Sequence, residues 1–161
     1  MNSNELMVNK FYTCFQKKDW KGMQGCYADD VTFSDPVFQN LKGKNALAMW
    51  HMLVSAGKDL TVSSNNIKAN DLSGSCDWEA HYSFSRTGRK VHNIIHAEFK
   101  FEHGKIVEHC DSFDLWRWSR MALGTSGVLL GWSSIVRNKI RGTANSSLHK
   151  FINEHHEYRS E

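Results

Sequence analysis

The sequence predicts an α+β fold, in which helices come first and a curved antiparallel sheet folded against them follows. Two observations lead to this prediction. Apolar residues recur at helical spacing over the first third of the chain, and the spacing changes to the alternation of strands from about residue 60. Because helices and strands are grouped along the chain, an α+β arrangement is favoured over a wound parallel sheet. The 161 residues suffice for one domain with an appendage.

Three helices are expected before the sheet. The first, over residues 4–15, places Phe11 and other apolar residues on one stripe. A turn begins the second helix, predicted over residues 20–27. The third covers residues 45–54, with Trp50 on its apolar face. Such stripes indicate helices that pack against a common core.

The strand predictions follow from alternation. A short strand is expected at residues 31–33, and longer ones at 60–67, 75–85, 90–102 and 105–116. The last of these is expected to complete an antiparallel meander. The apolar, glycine-broken segment 121–132 precedes a predicted helix over 133–152. We therefore expect a C-terminal helical extension beyond the sheet.

Several classes of function are disfavoured by the sequence. The four cysteines, Cys14, Cys26, Cys76 and Cys110, form no C-x-x-C pair, so no zinc knuckle is indicated and we expect reduced thiols. There is no phosphate-binding glycine loop and no nucleophile elbow. We expect no cofactor. A leader sequence and a membrane-spanning run are also not indicated, which predicts a cytoplasmic location.

Charge is distributed unevenly along the chain. Residues 1–114 carry 13 Lys/Arg and 14 Asp/Glu, whereas residues 115–153 carry six Lys/Arg and no acid. With its tryptophans, this basic segment could lie on an anionic membrane surface. The favoured alternative is a helical cap that closes the domain or braces a dimer. Nucleic-acid binding is not expected, because the basic residues form no dense patch.

Asp35 is the first candidate for chemistry. It lies between apolar residues in the alternating run Val31-Thr32-Phe33-Ser34-Asp35-Pro36-Val37, just before the only proline. Proline favours an extended conformation in the residue before it and has no backbone N–H to donate to a neighbouring strand. Asp35 and Pro36 should therefore lie where a strand ends or at the edge of the sheet. A buried carboxylate there would have a raised pKa and could transfer protons, whereas a solvated turn aspartate would not.

Two segments, Y-A-D-D-V-T-F-S-D-P-V-F and F-E-H-G-K-I-V-E-H-C-D-S-F-D, together with the order of elements, resemble the nuclear transport factor 2-like superfamily. Within it, the chain is most similar to SnoaL-like polyketide cyclases and ketosteroid isomerases. The resemblance implies a cone-shaped domain over residues 1–118 and leaves 119–161 as an extension on the domain or at a dimer interface. It implies fold more specifically than activity, because this fold serves enzymes, binding proteins and scaffolds.

The resemblance to ketosteroid isomerase implies that Asp35 is a general base. The hydrogen-bond donors of that enzyme's oxyanion hole fall on Phe11 and Ala97, neither of which can donate. Loss of one such donor typically costs about 100-fold or more in rate, so steroid isomerisation by that arrangement is not expected. Tyr82 projects from the inward face and is a candidate replacement.

The resemblance to SnoaL-like cyclases points to the last strand. Their acid/base aspartate matches Asp111, and His109 lies on the same strand face two residues earlier. Their partner histidine again falls on Ala97. Two interpretations remain open: an acid/base pair in a cavity, or a hydrogen-bonded pair that ties the strand to the helices.

An apolar cavity for a small hydrophobic molecule is the predicted binding site. Its predicted lining consists of Phe11, Phe15, Trp50, Trp78, Tyr82, Phe84, Ala97, Phe99 and Phe113. Each residue taken singly is more typical of core packing. The alternatives are therefore an acid/base isomerase, cyclase or epoxide hydrolase without metal, and a non-catalytic carrier or interaction module.

Three histidines, His81, His92 and His96, are expected on the outer face of the sheet. They could gather round a metal ion, but no carboxylate or cysteine is seen to complete the spacing, so no metal site is predicted. The resemblance implies that this face forms a homodimer interface. Histidines in that interface would make association depend on pH.

Overall fold

The computed structural model describes residues 1–159, and these form six helices, six strands and one 3-10 turn. In chain order the elements are α1 (Ser3–Gln16), α2 (Trp20–Gln24), β1 (Tyr27–Ser34), β2 (Leu41–Lys42), α3 (Lys44–Ala56), β3 (Thr61–Ala69), β4 (Ser73–Ser83), β5 (Lys90–Glu102), β6 (Lys105–Ser112), α4 (Leu115–Leu123), α5 (Thr125–Leu130), α6 (Ser134–Glu154) and the 3-10 turn (His156–Tyr158). The predicted α+β class is confirmed.

The first two helices begin at side-chain caps, and the second ends earlier than its predicted range. Asn2 and Glu5 form a capping box at the start of α1, and the Asp19 side chain accepts the N–H of Gly22 at the start of α2. The second helix was predicted to reach Tyr27, which was wrong. It ends at Gln24, and Tyr27 instead opens β1.

The strands form one curved, unclosed sheet in the order β2-β1-β6-β5-β4-β3. All neighbours are antiparallel except β1 and β6, which run parallel, so the sheet is mixed rather than wholly antiparallel. On β5, which spans the predicted residues, alternate side chains from Val91 to Phe101 are buried. That buried face, together with α1 and α3, encloses the main core.

The last strand is shorter than predicted. β6 ends at Ser112, and the Asp114 side chain accepts the N–H of Arg117 to cap α4, so Trp116 lies on a helix and not on a strand. The predicted domain boundary at 118/119 falls within α4.

The C-terminal helix packs back on the domain. Leu148 of α6 is only 2% exposed and belongs to the main core. Arg141 Nε donates to the carbonyl oxygen of Pro36 at 2.9 Å, so α6 also holds the loop that follows β1. Among the described helices none has the length and apolar character needed to cross a membrane.

Candidate functional site

The turn after β1 fixes one oxygen of Asp35. Asp35 Oδ1 accepts the backbone N–H groups of Val37 at 2.7 Å and Phe38 at 2.5 Å, an Asx-type turn that the proline between them favours. Within residues 1–159, Oδ2 accepts no hydrogen bond. Burial raises the pKa of Asp35 to about 7, and the nearby charge of Asp111 also raises it, against the lowering effect of the two N–H donors. Asp35 is thus a turn residue whose side chain is half-buried.

The parallel pairing of β1 with β6 brings two carboxyl groups together. Phe33 is the partner of His109 and Ser34 of Cys110, so the pairing ends one residue before Asp35 and Asp111. Asp111 is on the same inward face of β6 as His109, two residues earlier, and Asp35 follows the end of β1 next to it in register. The electrostatic effect of Asp111 on Asp35 agrees with this proximity.

His109 and Asp111 form a buried hydrogen-bonded pair. His109 Nε2 lies 2.9 Å from Asp111 Oδ1, and the two side chains are 0% and 3% exposed. On its other side, His109 Nδ1 lies 2.7 Å from the hydroxyl oxygen of Tyr27. That oxygen accepts Trp50 Nε1–H at 2.8 Å, and Asp111 Oδ1 also accepts Trp78 Nε1–H at 3.3 Å. This series of hydrogen bonds connects α3, β1, β6 and β4.

If every hydrogen bond in this series points from Trp50 towards Asp111, each group in it has a partner. The Trp50 indole donates to Tyr27, the Tyr27 hydroxyl donates to His109 Nδ1, and His109 Nε2–H donates to Asp111. Burial and the charge of Asp111 raise the pKa of Tyr27 well above its usual value, so the phenol keeps its proton. Trp50 Nε1, the Tyr27 hydroxyl and both ring nitrogens of His109 therefore all have hydrogen-bond partners within the protein.

Aromatic rings close around this pair. The centroids of four rings, those of Phe11, Phe33, Trp50 and Phe99, lie between 4.4 and 5.8 Å from that of His109. Six of the nine residues predicted to line a cavity lie in this packed interior, each less than 8% exposed: Phe11, Phe15, Trp50, Trp78, Ala97 and Phe99. Two open depressions on the surface include neither Asp35 nor Asp111.

The other three predicted lining residues, Tyr82, Phe84 and Phe113, are only partly buried and pack against a second apolar cluster formed with α4. Tyr82 and Phe113 also contact the main core. There the Tyr82 hydroxyl oxygen accepts Trp118 Nε1–H at 2.7 Å. Burial raises the pKa of Tyr82, and the charge of Asp35 raises it further. Among the described residues the Tyr82 hydroxyl has no acceptor for its own proton. Asp35 and Tyr82 thus offer one free acceptor and one free donor; we call them the Asp35–Tyr82 site.

Sequence reasoning missed Tyr27 and Trp118. The helical spacing predicts Tyr27 at the end of α2, and Trp118 follows a segment whose alternation predicts a strand. The N-cap signal of Asp114 three residues before Arg117 could have located α4 and, with it, Trp118 on its inner face. No sequence signal pointed to the Tyr27–His109 contact, which joins residues 82 positions apart.

The outer face of the sheet carries the three predicted histidines. His81 and His92 lie opposite each other on β4 and β5, and their rings stack 4.0 Å apart. The expectation that no carboxylate joins them was wrong: Glu79 Oε2 lies 2.5 Å from His92 Nε2. His96 pairs separately with Asp77 at 2.6 Å.

Comparison with known proteins identifies one family and many solved structures with a similar fold. A family model described as SnoaL-like domain matches residues 8–109. No curated protein sequence matches the chain.

Three solved structures illustrate the likeness of fold. An NTF2-like protein of unknown function from Burkholderia pseudomallei aligns with TM-score 0.65 at 17% identity, covering 75% of this chain and 98% of its own. An LEH-like epoxide hydrolase from M. tuberculosis aligns with TM-score 0.59 at 15% identity, covering 83% and 95%. A computationally designed 17-OHP binder gives 0.58 at 18% identity, covering 68% and 90%.

Proposed function

The chain belongs to the SnoaL-like domain family, and we propose that it binds a small apolar molecule and moves a proton on it, with Asp35 as the proton acceptor. One observation carries the proposal. Asp35 has one oxygen fixed by two backbone donors and the other free, and burial gives it a pKa of about 7. A base is most useful when its pKa lies near the working pH.

Tyr82 supplies the matching donor. Its hydroxyl oxygen already accepts the Trp118 indole, so its proton is available for a ligand oxygen. In the proposed step, a C–H bond next to a carbonyl group breaks, the proton goes to Asp35, and the electron pair moves to the carbonyl oxygen, where Tyr82 donates a hydrogen bond. Return of the proton to the same carbon completes an exchange. In a β,γ-unsaturated ketone the electron pair extends over the C=C bond, so return of the proton to the γ carbon instead moves the double bond and completes an isomerisation.

The buried pair has a supporting role in this proposal. His109 and Asp111 are sealed among aromatic rings and bonded to Tyr27 and Trp78, so they have no free path to a ligand. The charge of Asp111 acts at a distance by raising the pKa of Asp35. The proposed chemistry therefore lies at the Asp35–Tyr82 site and not at Asp111.

The cover over this site governs access. Val37, on the Asp35 loop, packs in the cluster that also contains Trp118 and Ile140, and Arg141 holds the neighbouring Pro36 carbonyl. In the proposed function, a ligand reaches Asp35 only if these contacts of the loop with α4 and α6 open. The apolar walls favour an uncharged, hydrophobic molecule, as the aromatic-rich linings of small-molecule sites generally do.

Deuterium exchange tests the proposal without knowledge of the natural substrate. 2-Tetralone, an apolar ketone with acidic hydrogens beside its carbonyl, is incubated with the protein in D2O, and its mass is followed. We expect catalysed exchange whose kcat/KM rises with pH and levels off above pH 7, as Asp35 loses its proton. Asp35→Asn should lower the rate about 100-fold or more, and Tyr82→Phe about 100-fold.

Asp30→Asn is the matched control, because Asp30 lies on the same strand with an exposed side chain. Its rate should equal that of the unmodified protein. If Asp35→Asn and the unmodified protein exchange deuterium at equal rates, Asp35 is not the proton acceptor. Binding of 2-tetralone with no exchange above buffer would favour the non-catalytic carrier instead.

A second candidate function, attachment to an anionic membrane surface, rests on a different observation. Large apolar side chains at the α5 end are exposed: Val128 50%, Leu129 63%, Leu130 52%, Trp132 65% and Ile135 79%. They sit in the segment 115–153 that carries six basic residues and no acid. An apolar tip within a basic segment suits insertion among anionic headgroups.

Sedimentation with vesicles tests this attachment. Vesicles of phosphatidylcholine and phosphatidylserine at 3:1 should carry the protein down at low salt and less at high salt. Trp132→Ser should reduce the bound fraction, whereas Leu72→Ser should not, because Leu72 is 75% exposed but lies in the turn between β3 and β4. No sedimentation at low salt would reject membrane attachment.

A further inference from the structure

The outer face of the sheet brings three potential metal ligands together. Glu79 and His81 are two residues apart on β4, so they point to the same side, and His92 on β5 is the direct partner of His81. The pairing of the two strands is continuous from Ser73–Lys100 to Ser83–Lys90. Their backbone therefore holds the three side chains in fixed neighbouring positions.

The distances are close to those of a metal centre. One ligand atom from each of Glu79, His81 and His92 lies within 4.8 Å of the others. In a tetrahedral zinc site, bonds of about 2.0–2.1 Å set ligand atoms about 3.4 Å apart. Side-chain rotation would have to shorten the widest of these separations by up to about 1.4 Å and lengthen the 2.5 Å Glu79–His92 contact by about 0.9 Å. The His92 and Glu79 side chains are 38% and 36% exposed, which leaves them room to turn.

The contact between Glu79 and His92 joins two atoms that could both bind a metal ion. Glu79 Oε2 lies 2.5 Å from His92 Nε2, and the His81 ring stacks on that of His92 with an angle of 13° between the ring planes. A cation bound between Glu79 and His92 would take the place of the hydrogen in this contact, and turning the exposed His81 ring would bring a third ligand. One positive charge that would repel a bound cation lies nearby, because the Arg117 guanidinium donates to the His92 carbonyl oxygen.

We infer that Glu79, His81 and His92 form a binding site for a divalent transition metal, Zn²⁺ above all. Two imidazoles and one carboxylate are a ligand set that Zn²⁺ uses, and the open side of the sheet leaves the fourth position to water. A hard cation such as Mg²⁺ prefers an all-oxygen set and is not expected to bind. The site lies on the opposite face of the sheet from Asp35 and is independent of the proposed function.

Calorimetric titration of the full chain with ZnCl2, after dialysis against EDTA, tests the site. We expect saturable binding of one Zn²⁺ per chain and no saturable binding of MgCl2. His81→Ala and His92→Ala should each weaken Zn²⁺ binding at least tenfold. Circular dichroism melting of each variant checks that the sheet is intact.

His96→Ala is the matched control, because His96 lies on the same face and strand but pairs with Asp77. Its affinity for Zn²⁺ should equal that of the unmodified chain. Undiminished binding in His81→Ala and His92→Ala, or loss of binding in His96→Ala, would overturn the assignment. So would the absence of saturable Zn²⁺ binding to the unmodified chain.

Discussion

Replacement of Asp35 by asparagine should make the protein more stable at neutral pH. Burial raises the pKa of this carboxyl from 3.8 to about 7, so the folded state holds a proton that the unfolded state releases. The contribution of Asp35 to stability is fully present below about pH 4 and is lost as pH rises through 7. A neutral asparagine avoids the loss, and its carbonyl oxygen can still accept the N–H groups of Val37 and Phe38.

The size of the effect follows from the shift. One pKa unit corresponds to 1.36 kcal/mol, so a shift of about 3 units is worth about 4 kcal/mol. Asp35→Asn and the unmodified protein should be about equally stable at pH 4. Between pH 4 and 7 the difference should grow by about 1.4 kcal/mol per pH unit, and above pH 7 it should stay level at about 4 kcal/mol in favour of the variant.

Urea unfolding at pH 4, 5, 6, 7 and 8 measures this difference directly, since the other titrating groups are common to both proteins. Asp30→Asn, on the exposed side of β1, should differ from the unmodified protein by no more than about 0.5 kcal/mol at any pH. If the unfolding free energies of Asp35→Asn and the unmodified protein run parallel from pH 4 to 8, Asp35 does not have the raised pKa on which the proposed base depends.

Three further substitutions test the interior, each by urea unfolding at pH 7. Tyr27→Phe should lower the unfolding free energy by about 1–3 kcal/mol, because it leaves the buried His109 Nδ1 and the indole N–H from α3 without a partner. Tyr12→Phe should have no cost or raise stability slightly, since the buried Tyr12 hydroxyl has no hydrogen-bond partner within residues 1–159; a loss above 1 kcal/mol would contradict this. Gly127→Ala should cost about 1–3 kcal/mol, because its Cβ would lie 2.0 Å from the backbone oxygen of Ser119.

Most of the fold could be predicted from spacing alone where turns bound an alternating run. β5 matches its predicted range because Gly88 and Gly104, both with positive φ, end the flanking turns. α4 was missed because Phe113, Leu115 and the polar residues between them continue the alternation of β6. Only the side chain of Asp114, acting as a helix cap, separates the strand from the helix.

The candidate site was predictable in parts. Asp35 was correctly expected at a strand end, because the residue before proline is held extended. Its neighbour Asp111 could not be placed beside it, since the parallel pairing of β1 with β6 joins distant segments and leaves no local signal. The assignment of the other predicted site residues to ligand binding or catalysis stays a prediction.

The two missing donors and the position of the proposed chemistry have one physical explanation. Where the resemblance sets hydrogen-bond donors, this chain has Phe11, whose ring lies 5.5 Å from that of His109, and Ala97, opposite Asp111 on β5. An aromatic ring in place of a donor fills the interior and leaves His109 to be satisfied by Tyr27. The proposed chemistry therefore lies nearer the edge of the core, where Asp35 has a second oxygen and Tyr82 a hydroxyl proton that no hydrogen bond within residues 1–159 uses. Restoring a cavity with Phe11→Ala alone should therefore cost about 3–5 kcal/mol of stability without adding exchange activity.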